Sequence, residues 1–261
     1  MNSAHSDAVR ADETHVHAID QHGFAVVPSV LDTDMVARCG DALDEVFETE
    51  GDIAEARRWL TTAYRVAYML PAKHSVFLDL CRPGRLTALA ASVLGDECVL
   101  AGFNGQSMIP GGEGQPLHRD HAVQTPGVTL YLHSVVALDR FSMANGATRL
   151  VPGSHRDVLP GAEPASMESH ARHVELEPGD AVVFDATCVH AGSANTSTRP
   201  RRALHVFFAR RWVQPHWDFP GSLRPHDADG LDDERRRLLG FGNVPARYDH
   251  AGRRSFGYGW G

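Results

Sequence analysis

Two histidines, an arginine and an aspartate fall within seven residues in the stretch QPLHRDH, residues 115–121, directly after the turn-rich run PGGEG. His118 and Asp120 are two positions apart, so on extended backbone they project to the same side. An imidazole and a carboxylate aimed at one point begin a site for a divalent metal. A third candidate, His190, ends a strand-like run and precedes a loop rich in Gly, Ser and Asn. Two histidines and one carboxylate on one side of a metal leave its other positions open, as in non-heme Fe(II) oxygenases. A structural metal is instead enclosed by protein. Eleven and twelve residues beyond His190 stand Arg201 and Arg202. A guanidinium fork near a metal suits the far carboxylate of a bound acid. Neighbours on a strand face opposite ways, so only one of the two arginines enters such a site.

The elements that must position these groups change character along the chain. Residues 1–18 are polar and acidic and are expected as a flexible arm, with 19–261 forming a single domain. GFAVVPSVL (23–31) reads as a short strand ending at Pro28. Residues 32–50 carry apolar groups at helical spacing behind Asp32 or Thr33 as a cap, and 83–95 form a second helix stopped by Gly95. Residues 54–80 read as helical or mixed, broken at Pro71. From about residue 97, short apolar runs alternate with Gly, Pro and Asn, the pattern of strands separated by turns. A short helix is expected over 231–240. The whole predicts a mainly β protein with flanking helices, its antiparallel strands closed as a barrel or double sheet.

A chain of 261 residues with 43% hydrophobic content has enough for a large core. The net charge of −8 argues against a nucleic-acid binder or a polybasic membrane anchor. Cys39, Cys81, Cys98 and Cys188 are widely spread, which fits a reducing cytoplasm rather than a disulfide framework. Neither a secretory signal nor a run of ~20 apolar residues is visible. The expected protein is cytoplasmic, a monomer or homodimer, acting on a small molecule without nucleic acid or membrane.

Four segments in order, HxD at 118–120, NGATRLVPGSH at 145–155, EPGDAVVFD at 177–185 and His190 followed by Arg201, resemble the phytanoyl-CoA dioxygenase family. The resemblance covers about residues 20–215, and the QPLHRD form is similar to members that tailor natural products and antibiotics. It implies a double-stranded β-helix, the cupin-like jelly roll, and dependence on Fe(II), 2-oxoglutarate and dioxygen. Carried over by position, it implies His118, Asp120 and His190 as iron ligands and Arg201 as the partner of the distal carboxylate of 2-oxoglutarate. Gln115 and Thr148 match positions that hydrogen-bond that co-substrate. One position departs: several members have serine where this chain has Gly192. The implied reaction is hydroxylation, or another oxidation, of an unactivated carbon in a secondary metabolite. A cupin-like isomerase or hydrolase that does not use dioxygen is the alternative, although it has no need of Arg201.

Other residues invite readings of their own. His15 and His17 are two apart but lack a third ligand. His121 faces away from Asp120, His155 reads as a loop-stabilising residue, and Cys188 as a buried strand thiol. Trp212 and Trp217 are candidates to cover a substrate pocket, and Tyr64, Arg65 and Tyr68 lie in a segment that reaches the active site in similar proteins.

Overall fold

The computed structural model describes residues 3–51, 63–121, 123, 125, 127–156 and 163–243. Within them the alternating segments pair into two antiparallel sheets. The larger holds β1 (Phe24–Val27), β7 (Ala181–Asp185), β4 (Tyr131–Ala137), β9 (Arg201–Ala209), β3 (Val99–Met108) and β2 (Tyr64–Ala67), in that spatial order. The smaller holds β6 (Arg172–Val174), β5 (Thr148–Leu150) and β8 (His190–Gly192). The fold is the expected jelly roll.

Strand register decides which side chains look inward. His133 on β4 sits opposite Phe207 on β9, and Val135 opposite His205. Met108 on β3 sits opposite Arg201, and Gln106 opposite Ala203. Arg201, His205 and Phe207 therefore share one face of the larger sheet with His133. The alternate residues Leu204, Val206 and Phe208 face the other way, into the main core. That core is closed by α1 (Ser3–His22), α2 (Thr33–Thr49), α3 (Ser75–Leu80) and α4 (Arg85–Leu94), which contribute Ile19, Leu43, Phe77 and Leu89. Each of these side chains is at most 2% exposed, worth roughly 2 kcal/mol apiece in apolar burial. The rigid backing holds the inward face of β4 and β9 in place.

Most boundaries follow the local signals. Asp32 caps α2 by accepting the Met35 N–H at 2.8 Å. Gly95 ends α4, and α7 (Asp233–Leu238) falls within the expected tail helix, after α5 (Phe219–Ser222) and α6 (Pro225–Asp229). The N-terminal segment is helical over Ser3–His22, and Val16 and Ile19 of this helix pack on the core. The segment expected to be helical or mixed over 54–80 contains strand β2, which pairs with β3 and brings Tyr64 opposite Met108, ahead of the turn at Pro71 and α3. Its first part lies outside the described residues.

The turn before β7 depends on Gly179. Its φ is +93°, and a Cβ there would stand 2.4 Å from the Leu31 carbonyl oxygen. The Gly179 carbonyl also accepts the N–H groups of Val30 and Leu31, tying the β1 exit to this turn. Gly179→Ala is expected to lower stability by at least ~2 kcal/mol, from left-handed strain and the backbone clash together. Chemical denaturation with an unchanged m-value checks this.

Candidate active site

An isolated bridge brings the first two candidate ligands together. The His118 N–H donates to the His190 carbonyl and the His190 N–H to the His118 carbonyl, both at 2.9 Å. The HxD segment is thereby fastened to β8, and the two rings lie 4.4 Å apart. His190 thus opens a strand, where the sequence reading set it at the end of one. His118 Nδ1 lies 2.9 Å from the Pro116 carbonyl oxygen, and His190 Nδ1 lies 3.0 Å from that of Cys188. A carbonyl only accepts, so Nδ1 carries the proton and Nε2 the free lone pair in each neutral ring. The two Nε2 atoms stand 3.7 and 3.5 Å from Asp120 Oδ1. One ligand atom from each of the three residues falls within a 4.8 Å group. Ligands bound at ~2.1 Å around one ion stand about 3 Å apart, so small adjustments suffice for the set to hold a divalent metal.

The other carboxylate oxygen is also fixed. Asp120 Oδ2 accepts from His133 Nδ1 at 2.7 Å. His133 is stacked on Phe207 with centroids 3.9 Å apart, and its Nε2 lies 2.9 Å from His205 Nδ1. Burial opposes the charge on Asp120, but His133 and His190 outweigh it and hold the carboxyl well below the usual range. Burial pushes His118 and His133 below the ordinary histidine range, which favours the neutral ring that His118 needs to bind a metal. Sequence reasoning missed His133. The available signal was a lone histidine within a mostly apolar strand, YLHSVVA. His133→Phe is expected to weaken metal binding by about 10- to 100-fold, because the carboxylate loses the donor that orients it. Titration of the metal-free protein with Co(II) measures it.

These groups line a cavity of about 260 Å³ that also includes Gln115, Thr148 and Arg201. Arg201 is only 2% exposed, its guanidinium lies 4.1 Å over the Phe141 ring, and its Nε has no partner among the described residues. Burial pushes its pKa down to about 10, still protonated at neutral pH. A buried cation without a carboxylate is costly unless a ligand supplies one. Arg202 lies on the opposite face and is ion-paired with Asp139 at 2.9 Å and Asp44 at 2.7 Å. Of the two arginines, the geometry therefore brings Arg201 to the cavity.

The Gly192 departure has a local explanation. Gln115 Oε1 accepts the Gly192 N–H at 2.9 Å, leaving the Gln115 amide nitrogen as a donor. A Cβ at residue 192 would lie 3.2 Å from both Gln115 Oε1 and Met108 Cε, so a serine there would crowd the glutamine.

Tyr64 and Tyr68 line the cavity, whereas Arg65 turns away and donates to the Phe47 carbonyl. Trp217 stands behind Tyr68 with its Nε1 on Asn104, and Trp212 is 72% exposed; neither lines the cavity. His121 packs at a tilt against Tyr131, His155 bonds the Asp20 carbonyl, and His15 and His17 lie on α1. Cys188 is a buried thiol pushed up to about 12 by its surroundings. A larger cavity of about 340 Å³, among Met35, Leu86, Phe103 and Phe208, lies on the far face of the larger sheet. It holds none of the converging ligand atoms and so is not the chemical site.

A jelly roll that brings together a His/Asp/His group and a buried arginine whose Nε has no partner among the described residues matches the architecture of non-heme metal-dependent oxygenases. The sequence profile of the phytanoyl-CoA dioxygenase (PhyH) family matches residues 19–203. The chain is 31% identical over 215 residues to the iron/alpha-ketoglutarate-dependent dioxygenase penM of Penicillium thymicola, covering 76% of this chain and 68% of the relative. The fold is similar to that of AviO1 from Streptomyces viridochromogenes Tue57, with a TM-score of 0.64, 23% identity and coverage of 78% and 97%. It is also similar to HygX from Streptomyces hygroscopicus, solved with nickel and 2-oxoglutarate bound, with a TM-score of 0.65, 18% identity and coverage of 77% and 88%. The chain belongs to the phytanoyl-CoA dioxygenase family. Its enzyme class is that of the iron- and 2-oxoglutarate-dependent dioxygenases. Among the described residues, no helix is long and apolar enough to cross a membrane.

Proposed function

We propose that His118, Asp120 and His190 hold the iron, and that Arg201 holds the distal carboxylate of 2-oxoglutarate. The observation that carries this reading is the meeting of two Nε2 lone pairs and Asp120 Oδ1 in one cavity with an arginine that pairs with no carboxylate among the described residues. The Gln115 amide and the Thr148 hydroxyl, on the same wall, supply further polar contacts to the co-substrate. The bound metal supplies activation of dioxygen. The protein's own part is positional. The carbonyls of Pro116 and Cys188 turn the two imidazoles inward, and His133 leaves one Asp120 oxygen free for the ion. Arg201 fixes the length and direction of the co-substrate.

The overall conversion takes substrate C–H, dioxygen and 2-oxoglutarate to substrate C–OH, succinate and carbon dioxide. Hydroxylation of a small secondary metabolite in the cytoplasm is the specific form proposed. The carboxylate at residue 120 occupies a coordination place that halide would need, which disfavours halogenation. The iron-loaded protein is expected to form succinate from 2-oxoglutarate slowly in air even without a second substrate. Addition of EDTA stops it and excess Fe(II) restores it. Turnover of a substrate under strict anaerobiosis would instead favour the cupin-like isomerase or hydrolase.

A further inference from the structure

His205 lies on β9 four residues after Arg201, on the same inward face, and lines the cavity. Its two ring nitrogens have different surroundings. Nδ1 lies 2.9 Å from His133 Nε2. Nε2 is buried and has no hydrogen-bond partner among the described residues. The direction of each bond in this chain follows from its fixed end. An ionised carboxylate only accepts, so His133 Nδ1 donates to Asp120. In a neutral His133 ring, Nε2 is then an acceptor, and His205 Nδ1 must be the donor to it. A neutral His205 protonated at Nδ1 has a bare lone pair at Nε2. Burial pushes both rings below the ordinary histidine range, in line with this pattern.

We propose that His205 is a specificity-determining residue whose Nε2 accepts a hydrogen bond from an O–H or N–H group of the substrate. A buried acceptor left unpaired is costly, and a ligand that donates to it recovers that cost. The co-substrate does not do this, because 2-oxoglutarate as a dianion carries only acceptors. The cavity also indicates the charge of the substrate. Among the described lining residues, the ionic groups besides histidines are Asp120 and Arg201. Both are committed, to the metal and to 2-oxoglutarate. What remains of the wall includes Tyr64, Val66, Tyr68, Gln106 and Phe207. The substrate class is therefore a neutral molecule with an aromatic or aliphatic body and a donor group directed at His205. A site built around such a bond rejects analogues that lack the donor more strongly than a purely apolar wall does.

This inference rests on the cavity being the metal and 2-oxoglutarate site, so its test begins there. Protein labelled with ¹⁵N-histidine is loaded with Zn(II), a diamagnetic stand-in, and 2-oxoglutarate. Failure of 2-oxoglutarate to bind would count against the proposed function itself. With 2-oxoglutarate bound, long-range ¹H–¹⁵N spectra should show His205 protonated at Nδ1 and bare at Nε2. A proton on Nε2 overturns the inference and leaves the function intact. Phenol and fluorobenzene then serve as probes of nearly equal shape, only the first with a donor. Phenol is expected to bind about 10-fold more tightly and to shift the His205 Nε2 resonance, in keeping with one net hydrogen bond of ~1.4 kcal/mol. In His205→Phe the two affinities should converge. Equal affinities in the unaltered protein, or no shift of Nε2 up to the solubility of phenol, would show that water alone uses this acceptor and would overturn the inference. The tautomer measurement needs no variant, so it holds even if His205→Phe fails to fold.

Discussion

Asp120→Ala is expected to abolish 2-oxoglutarate turnover and to weaken metal binding by more than ~100-fold, beyond the loss expected for a group that only orients a ligand. The reason lies in the two oxygens of this carboxylate. Oδ1 stands 3.7 and 3.5 Å from the two histidine Nε2 atoms, while Oδ2 is held by His133 at 2.7 Å. Alanine removes the anionic ligand and also leaves His133 Nδ1 without its acceptor. Two neutral imidazoles remain, which hold a divalent ion poorly. Isothermal titration with Co(II) and a succinate assay check both parts. Asp120→Asn separates them: it keeps an oxygen, and it can present that oxygen to the metal or to His133 but not to both. Metal affinity in the Asp120→Asn variant equal to that of the unaltered protein would count against Asp120 as a ligand.

Arg201→Leu is expected to raise the dissociation constant for 2-oxoglutarate by on the order of 100-fold or more, leaving metal affinity within a few fold. Loss of one partner from a buried, hydrogen-bonded charge pair costs about 2–5 kcal/mol. Without the ligand, Arg201 is a buried cation with no ion-pair partner among the described residues, so leucine should not destabilise the free protein and is expected to raise its melting temperature slightly. Arg202→Leu gives the opposite pattern. It removes the two side-chain bonds that Asp139 accepts from Arg202 and leaves only the one from the backbone N–H, and costs about 1–3 kcal/mol of stability with 2-oxoglutarate affinity preserved. If Arg202→Leu were the variant that lost 2-oxoglutarate, the assignment of Arg201 would be wrong.

The contrast between these arginines shows what the sequence could and could not convey. Strand alternation requires that adjacent residues face opposite ways, but not which one faces in. That depends on register, and β9 is fixed from both sides by β3 and β4. The metal candidates were legible because HxD places two ligands at a spacing that holds on any extended backbone. His190 was legible only through the order of the motifs, since its approach to His118 depends on a bridge between residues 72 positions apart. His133 and His205 were not legible as a pair. Each is a lone histidine on its own strand, and only the pairing of β4 with β9 brings a nitrogen of one ring within 2.9 Å of a nitrogen of the other. The strand at 64–67 was missed for a similar reason. It is four residues long, its burial is intermediate over three of them, and its pairing with β3 rather than its own pattern makes it a strand.

One measurement addresses the metal and the co-substrate together without requiring the substrate. Metal-free protein is mixed anaerobically with Fe(II) and 2-oxoglutarate, and the visible spectrum is recorded for a weak charge-transfer band from iron to the chelated keto acid. The same titration is run on His118→Ala and Arg201→Leu. The proposed site predicts a band in the unaltered protein, its loss in His118→Ala, and a band in Arg201→Leu that needs far more 2-oxoglutarate to develop. No band in the unaltered protein, or a band that persists undiminished in His118→Ala, would contradict iron and 2-oxoglutarate at this site.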